Sequence, residues 1–257
     1  MTGSVREQPI YGIGMLVVPE TSKITDSFYR LHYNFIQDRA TKRKEIRRDI
    51  QARNTLLTVE EVDRMMWSTR HHEYKFSEVT RSNLQQYINI LNLYFSFSSF
   101  EFHCLMLNRL DPKAGLARWE NDEWAAYVHF IRILLEGRLT RSAFAIVDLQ
   151  GEPKKSDVHL EDVLCSIPAV KGCLRATSDM SIYLQIVDVL LGCVQFDIKN
   201  HAGFYDSTSK RAQAKGQLTD FLKRRLGMGQ EDALLPREKS FSQWNAPSRF
   251  TVWKGEW

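Results

Sequence analysis

Apolar residues recur along this chain with two periods, and the period changes several times. Residues 10–19, IYGIGMLVVP, form an apolar run rich in β-branched residues and closed by Pro19, which predicts a buried strand. From 21 to 54 the period becomes helical. Phe28, Leu31, Phe35 and Ile36 fall on one stripe and predict a long helix. TVEEVDRMMW predicts a short helix, with Thr58 as its cap and Glu61 in the capping-box position. In TRSNLQQYINILNLYFSF, the spacing of Leu84, Tyr87, Ile88, Leu91 and Phe95 predicts a further helix whose aromatics belong to the core rather than to a base-stacking platform. FEFHCLMLNRL, residues 100–110, alternates and predicts a strand, followed by a turn at DPKAG.

The second half continues the alternation of elements. NDEWAAYVHFIRILLEGRL predicts a helix that starts at Asn121 or Asp122 and ends near Gly137. SAFAIVDLQ predicts a short strand ending on Asp148, HLEDVLCSI a short helix, and VKGCLRAT a short strand. SDMSIYLQIVDVLLGCVQFDIKN predicts an apolar helix and KRAQAKGQLTDFLKRRLG a basic one. The last residues, SFSQWNAPSRFTVWKGEW, predict a short pair of strands with aromatic pegs, and FTVWKGEW is a candidate partner surface. Without repeats or a Gly/Ser linker, residues 1–257 read as one α/β domain. A long basic helix lies at about 22–53, and a helix and strand extension at about 209–257.

Composition narrows the classes. A chain of 257 residues with 43% hydrophobic and 26% charged residues buries a full core without staples. Cys104, Cys165, Cys173 and Cys193 are scattered, which predicts free thiols in a reducing compartment rather than a disulfide framework or a structural zinc site. No secretion signal and no apolar run of roughly 20 residues is present, so the expected location is the cytoplasm, away from membranes. The net charge of +4 only weakly favours a polyanionic partner. The charge is concentrated, however, in the long helix. There Arg39, Lys42, Arg43, Lys44, Arg47, Arg48 and Arg53 form either a solvated face or an arm that contacts phosphates.

Two carboxylates break the apolar pattern around them. Asp148 closes AFAIVD, and the end of a buried strand in an open α/β sheet faces the crevice where ligands bind. Asp188 sits in IYLQIVDVLLG, where an ionised carboxylate is costly unless paired or bound to a cation. Each also reads as a cap, a turn residue or a member of a buried ion pair. Glu73 in HHEYKF, beside Lys75, is the third candidate. Carboxylates from separate elements can hold Mg2+ or Mn2+, and two such ions about 4 Å apart support in-line phosphodiester displacement. Lys75 would orient a carboxylate, touch a phosphate or make an ordinary ion pair. His71 and His72 are adjacent and point in different directions, and His103 with Cys104 also lacks metal spacing. No GxGxxG, P-loop or GxSxG is present.

In this order the motifs resemble the bacterial domain of unknown function family 3800, a set of ribonuclease H-like proteins. Glu73, Lys75 and Phe76 match its Glu-x-Lys-Trp/Phe element and Asp148 its strand ending in Asp. Gln185, Asp188 and Gly192 match its Gln-x-x-Asp-x-x-x-Gly helix. The resemblance covers nearly the whole chain. It implies a ribonuclease H-like mixed sheet flanked by helices, with an acidic cluster of Glu73, Asp148 and Asp188 binding Mg2+ or Mn2+ and Lys75 assisting. By analogy it implies a nuclease acting on RNA or DNA. It also implies a strand upstream of IYGIGM that ends in Asp-Glu, is central to the sheet and carries the first metal ligand. Thr2, Gly3 and Ser4 match the tail of that motif, while its Asp and Glu are absent and Glu7 has no suitable spacing. The expectation is a natural protein that starts upstream. The rival is a shorter protein that is inactive or takes a strand from a partner. Nucleic acid is the expected partner, with a second copy or another protein as a further one. The competing functions are a non-catalytic nucleic-acid-binding or interaction module and a structural subunit indifferent to metal.

Overall fold

The computed structural model describes residues 10–19, 22–52, 57–67, 73–108, 122–153, 156–206, 208–234 and 250–254. Among these residues the chain is a mixed α/β fold with seven helices. Strand β1 (Ile10–Val17) pairs antiparallel with β2 (Glu101–Asn108), placing Ile10 opposite Asn108 and Val17 opposite Glu101. Strand β5 (Phe250–Lys254) pairs parallel with the other edge of β2. A second sheet consists of the parallel strands β3 (Ala143–Asp148) and β4 (Val170–Ala176), connected through the short helix α5 (Leu160–Cys165) as a βαβ unit.

Helices cover β2 on both faces. The expected alternation is therefore replaced by a continuous run of buried residues, as a strand sandwiched between layers requires. Phe102, Cys104 and Met106 enter one core with α1 (Ser22–Ala52), α3 (Leu84–Ser96), α6 (Ile182–His201) and α7 (Lys210–Arg225). Leu105 and Leu107 enter the other, with α4 (Glu123–Arg138) and α5. Tyr87, Ile90, Leu91 and Tyr94 of α3 are buried, so those aromatics are core as expected.

Strand β1 is half-buried along most of its length, short of the burial its apolar sequence predicts. It lies tightly on α6 through glycines. A Cβ at Gly14 would fall 2.8 Å from Val187 Cγ1, and one at Gly12 would fall 2.9 Å from Gln195 Nε2. Its outer edge carries no strand among the described residues. Strand β3 also departs from the expected burial. Ala145 and Val147 pack into the second core, whereas Phe144 and Ile146 on the opposite face are 62% and 44% exposed. With a side-chain period of two, Asp148 shares that open face.

Local signals set the helix ends. Thr58 and Glu61 form the reciprocal capping box of α2 (Val59–Trp67), at 2.8 and 3.2 Å. Asp122 accepts from the backbone N–H groups of Trp124 and Ala125. Helix α6 starts later than expected, at Ile182 behind the Ser181 cap, because residues 178–180 form a 3-10 turn. The expected strand pair at the C-terminus is a single strand among the described residues. Its Phe250 and Val252 are core rather than a partner surface, because β5 is clamped between β2 and the first core. Arg53, His71, His72, the turn at DPKAG, Asn121, residues 240–249, and Thr2, Gly3, Ser4 and Glu7 lie outside the described residues. No described helix is long and apolar enough to cross a membrane.

A buried ion pair fixes α7 against α6. Lys223 Nζ lies 2.5 Å from Asp197 Oδ1 with both side chains 3% exposed. Asp197 Oδ2 accepts from the Leu234 N–H at 2.7 Å, and Lys223 donates to the Gln230 carbonyl. Removing one partner leaves the other buried and unmatched. Lys223→Met is expected to lower unfolding free energy by about 3–5 kcal/mol, measured by urea denaturation at neutral pH.

Candidate functional site

The site is built on one stripe of α6. Gln185, Asp188 and Gly192 recur at spacings of three and four residues and face the extended segment 73–76. Gln185 is fully buried. Its Oε1 accepts from the Tyr74 N–H at 2.8 Å, and its Nε2 donates to the Ser178 carbonyl at 2.9 Å. Asp188 Oδ2 accepts from the Phe76 N–H at 2.6 Å. Gly192 gives the Phe76 ring its seat, since a Cβ there would stand 2.2 Å from Phe76 Cγ. Tyr74 is locked into the first core, 4.2 Å from the Phe35 ring and edge-on to Tyr87, whose hydroxyl donates to the Lys75 carbonyl. Side chains alternate along extended backbone, so burying Tyr74 and Phe76 turns Glu73 and Lys75 the other way.

Of the four residues singled out from the sequence, Glu73 and Lys75 are in direct contact, and Asp148 and Asp188 lie near enough for their charges to act on Lys75. Lys75 Nζ lies 2.6 Å from Glu73 Oε1, and Ser178 donates to Glu73 Oε2 at 2.6 Å. The hydrogen bond to Glu73 is the main influence raising the Lys75 pKa, and the charges of Glu73, Asp188 and Asp148 add to it. Three carboxylates from three separate elements therefore act on one ammonium. Crowding by protein atoms raises the pKa of Asp188. The Phe76 N–H and the Lys75 charge oppose this, while the Glu73 and Asp148 charges reinforce it. Asp188 nonetheless remains exposed to solvent rather than sealed in a core. Desolvation also raises the pKa of Asp148, with Gln150 Nε2 donating to its Oδ2 at 3.0 Å.

Hard oxygen donors suit Mg2+ or Mn2+, which take one or two carboxylates and complete their shell with water and substrate. Asp188 Oδ1 accepts no hydrogen bond among the described residues, so that oxygen remains available for a cation, whereas the Asp148 carboxylate is held by Gln150 and the Leu149 backbone. Glu73 is engaged through both oxygens. No group of three or more His, Cys, Asp or Glu side chains among the described residues is placed to hold a metal ion. Lys75 supplies the compensating positive charge instead.

The basic helix divides. Arg39 departs from the phosphate-arm expectation. It is only 8% exposed and stacks 4.9 Å over the Phe35 ring, because it extends the Phe28–Phe35 stripe by one helical turn. Lys42 and Arg43 are half-buried, and Lys44, Arg47 and Arg48 are exposed. Arg43 and Arg47 line a cleft of about 530 Å³ with Ile50, Gln51, Val62, Asp63 and Met66, between α1 and α2. Sequence reasoning missed Ser178, which holds Glu73, because its role depends on a contact across 105 residues. It also missed Arg211 and Lys215, which stand at residues 76–78, and Lys199 on the Asp188 stripe of α6. The helical spacings 188–192–196–199 and 211–215 were the available signal.

Gly192→Ala forces its methyl into Phe76 and is expected to cost about 1–3 kcal/mol, read from the urea midpoint, with faster amide exchange confined first to residues 73–78. The raised Asp188 pKa means that the folded state binds more protons than the unfolded state just above the usual carboxylate range, so this group's contribution to stability falls as pH rises through that window. Asp188→Asn keeps an acceptor for the Phe76 N–H and removes the charge. In EDTA, its stability relative to the parent is expected to increase with pH across that window, whereas a flat difference would contradict the assigned environment. Comparisons with protein-family models, with curated proteins and with solved structures found no match to this chain.

Proposed function

We propose that this protein is a metal-dependent nuclease of ribonuclease H-like architecture that hydrolyses phosphodiester bonds in RNA or DNA. The observation that carries this reading is that Lys75, paired with Glu73, also lies within reach of the charges of Asp148 and Asp188, all distant in sequence, with Asp188 Oδ1 unengaged among the described residues. Bound Mg2+ or Mn2+ would activate the attacking water and stabilise the leaving oxygen. Asp148 and Asp188 would hold it, and Glu73 would complete the acidic set once freed from Lys75. Lys75 would orient Glu73 or meet the phosphate. The two sheets support the architecture. Strands β1 and β3 each leave one edge unpaired among the described residues, and α6 packs on both strands.

One observation favours the second reading, a non-catalytic nucleic-acid-binding or interaction module. Glu73 spends both oxygens, and Asp188 one, on hydrogen bonds that hold the segment itself. Cleavage assays on labelled RNA and DNA with Mg2+ or Mn2+ separate the two. Asp188→Ala is expected to reduce cleavage by more than about 100-fold, or about 2.7 kcal/mol in barrier. Unchanged cleavage would refute the assignment, and salt-sensitive binding without cleavage in either metal would establish the module. Metal that binds only the folded site also raises thermal stability. Mg2+ or Mn2+ is therefore expected to raise the Tm of the parent protein and to leave that of Asp148→Asn/Asp188→Asn unchanged, as followed by differential scanning fluorimetry.

A further inference from the structure

The stripe of α6 that carries Asp188 and Gly192 continues through Phe196 to Lys199, at helical steps of four and three residues. Helix α7 packs across this end. A Cβ at Gly216 would stand 3.8 Å from the Phe196 ring, and Phe196 lies 6.1 Å from Phe76 between ring centres. Lys215 Nζ stands 5.1 Å from the centre of the same Phe76 ring, above the residue whose N–H Asp188 holds. Arg211 lies one turn earlier on the same face of α7. It donates to the Ser77 carbonyl and reaches 3.7 Å from Glu78.

Arg211 and Lys215 therefore flank the turn of residues 76–78, Lys199 lies near enough for its charge to act on Lys215, and Glu78 and Asp188 are the carboxylates that oppose them. Neither the Lys199 nor the Lys215 ammonium makes a hydrogen bond or ion pair among the described residues. Burial lowers the pKa of both lysines, and at Lys215 the charges of Arg211 and Lys199 push the same way while Glu78 and Asp188 oppose them. Holding like charges together in a half-buried setting is unfavourable. A polyanion relieves that repulsion and gains counterion release. Asp188 and Lys199 are 11 residues apart on one helix, about 16 Å along its axis, enough for several nucleotides of a strand.

We infer that Lys199, Arg211 and Lys215 form a phosphate-binding edge that holds the backbone of the nucleic-acid strand beside Asp188. This inference rests on the nuclease reading for the identity of its ligand. It places the main backbone contact on α7 and the end of α6 rather than on the basic half of α1, whose Arg43 and Arg47 face the cleft with α2.

The test is fluorescence anisotropy of a fluorescein-labelled oligonucleotide, single-stranded and duplex, titrated with the full chain in EDTA over a series of NaCl concentrations. Lys199→Gln/Lys215→Gln is expected to weaken binding at least about tenfold, and to reduce the slope of log K against log salt by about two, roughly one per phosphate contact. Lys199→Arg/Lys215→Arg, which preserves charge and the ring contact, is expected to keep the parent slope. Should the double glutamine variant unfold, Lys199→Gln alone is expected to reduce the slope by about one. An unchanged slope in a folded glutamine variant overturns the edge. So does a loss seen only in Arg47→Gln/Arg48→Gln, or competition by polyglutamate as strong as that by unlabelled oligonucleotide. The two readings fail separately. Loss of binding in the glutamine variant without any cleavage by the parent in Mg2+ or Mn2+ leaves the edge standing and removes the nuclease. Cleavage by the parent with an unchanged slope does the reverse.

Discussion

The grip of α6 on residues 73–76 is the constraint on which the candidate site depends. Gln185 and Asp188 take the amides of Tyr74 and Phe76, and Gly192 leaves room for the Phe76 ring. An extended segment has no internal hydrogen bonds of its own, and its buried N–H groups need partners. Here the partners come from side chains of a helix more than 100 residues away. Once that clamp is made, the pleat decides the rest: Tyr74 and Phe76 enter the core, and Glu73 and Lys75 point the other way. Asp188 thus has a structural role through Oδ2 and a free oxygen through Oδ1, and the two roles need not conflict.

Electrostatics at the acidic residues follow from crowding. Asp148 and Asp188 have raised pKa values chiefly because protein atoms displace water around them, and Lys75 offsets part of that penalty. A site that keeps charged groups together at a cost in stability is typical of functional centres rather than of stabilising ion pairs. The contrast with Lys223 and Asp197 is instructive. That pair is sealed, matched in charge and satisfied by further hydrogen bonds, and it serves to fasten α7 and residues 229–234 to α6. By fixing α7, the structural pair also fixes where Arg211 and Lys215 stand.

The open face of β3 adjoins the same region. Phe144, Ile146 and Leu174 form an exposed apolar strip on the two-stranded sheet, and Asp148 continues the Phe144–Ile146 side of β3. A two-stranded sheet with one bare apolar face is marginal by itself, and α4 and α5 stabilise it from the other face only.

Local chemistry was legible in the sequence. The helical stripes, the capping box at Thr58 and Glu61, the cap at Asp122 and the strands at 10–17, 101–108, 143–148 and 170–176 all follow from short-range periodicity and side-chain capping. Glu73, Lys75, Asp148 and Asp188 stood out because each placed charge where the surrounding pattern was apolar or aromatic. Burial was less legible, since it depends on what covers each face. Strand β2 proved covered twice, β3 once and β1 incompletely, although all three read as apolar strands. Arg39 became a core residue because it stacks on Phe35 of its own helix and that face meets Tyr74 and Tyr87. The cations that accompany the acids were hidden for the same reason. A lysine in a basic helix looks solvated until the tertiary structure sets it over Phe76, beside Asp188, with no carboxylate close enough to pair with it. Sequence by itself determined where most helices and strands lie, because those choices rest on neighbours within one or two turns. Only the tertiary structure decided which charges meet, because that depends on packing between segments more than 100 residues apart.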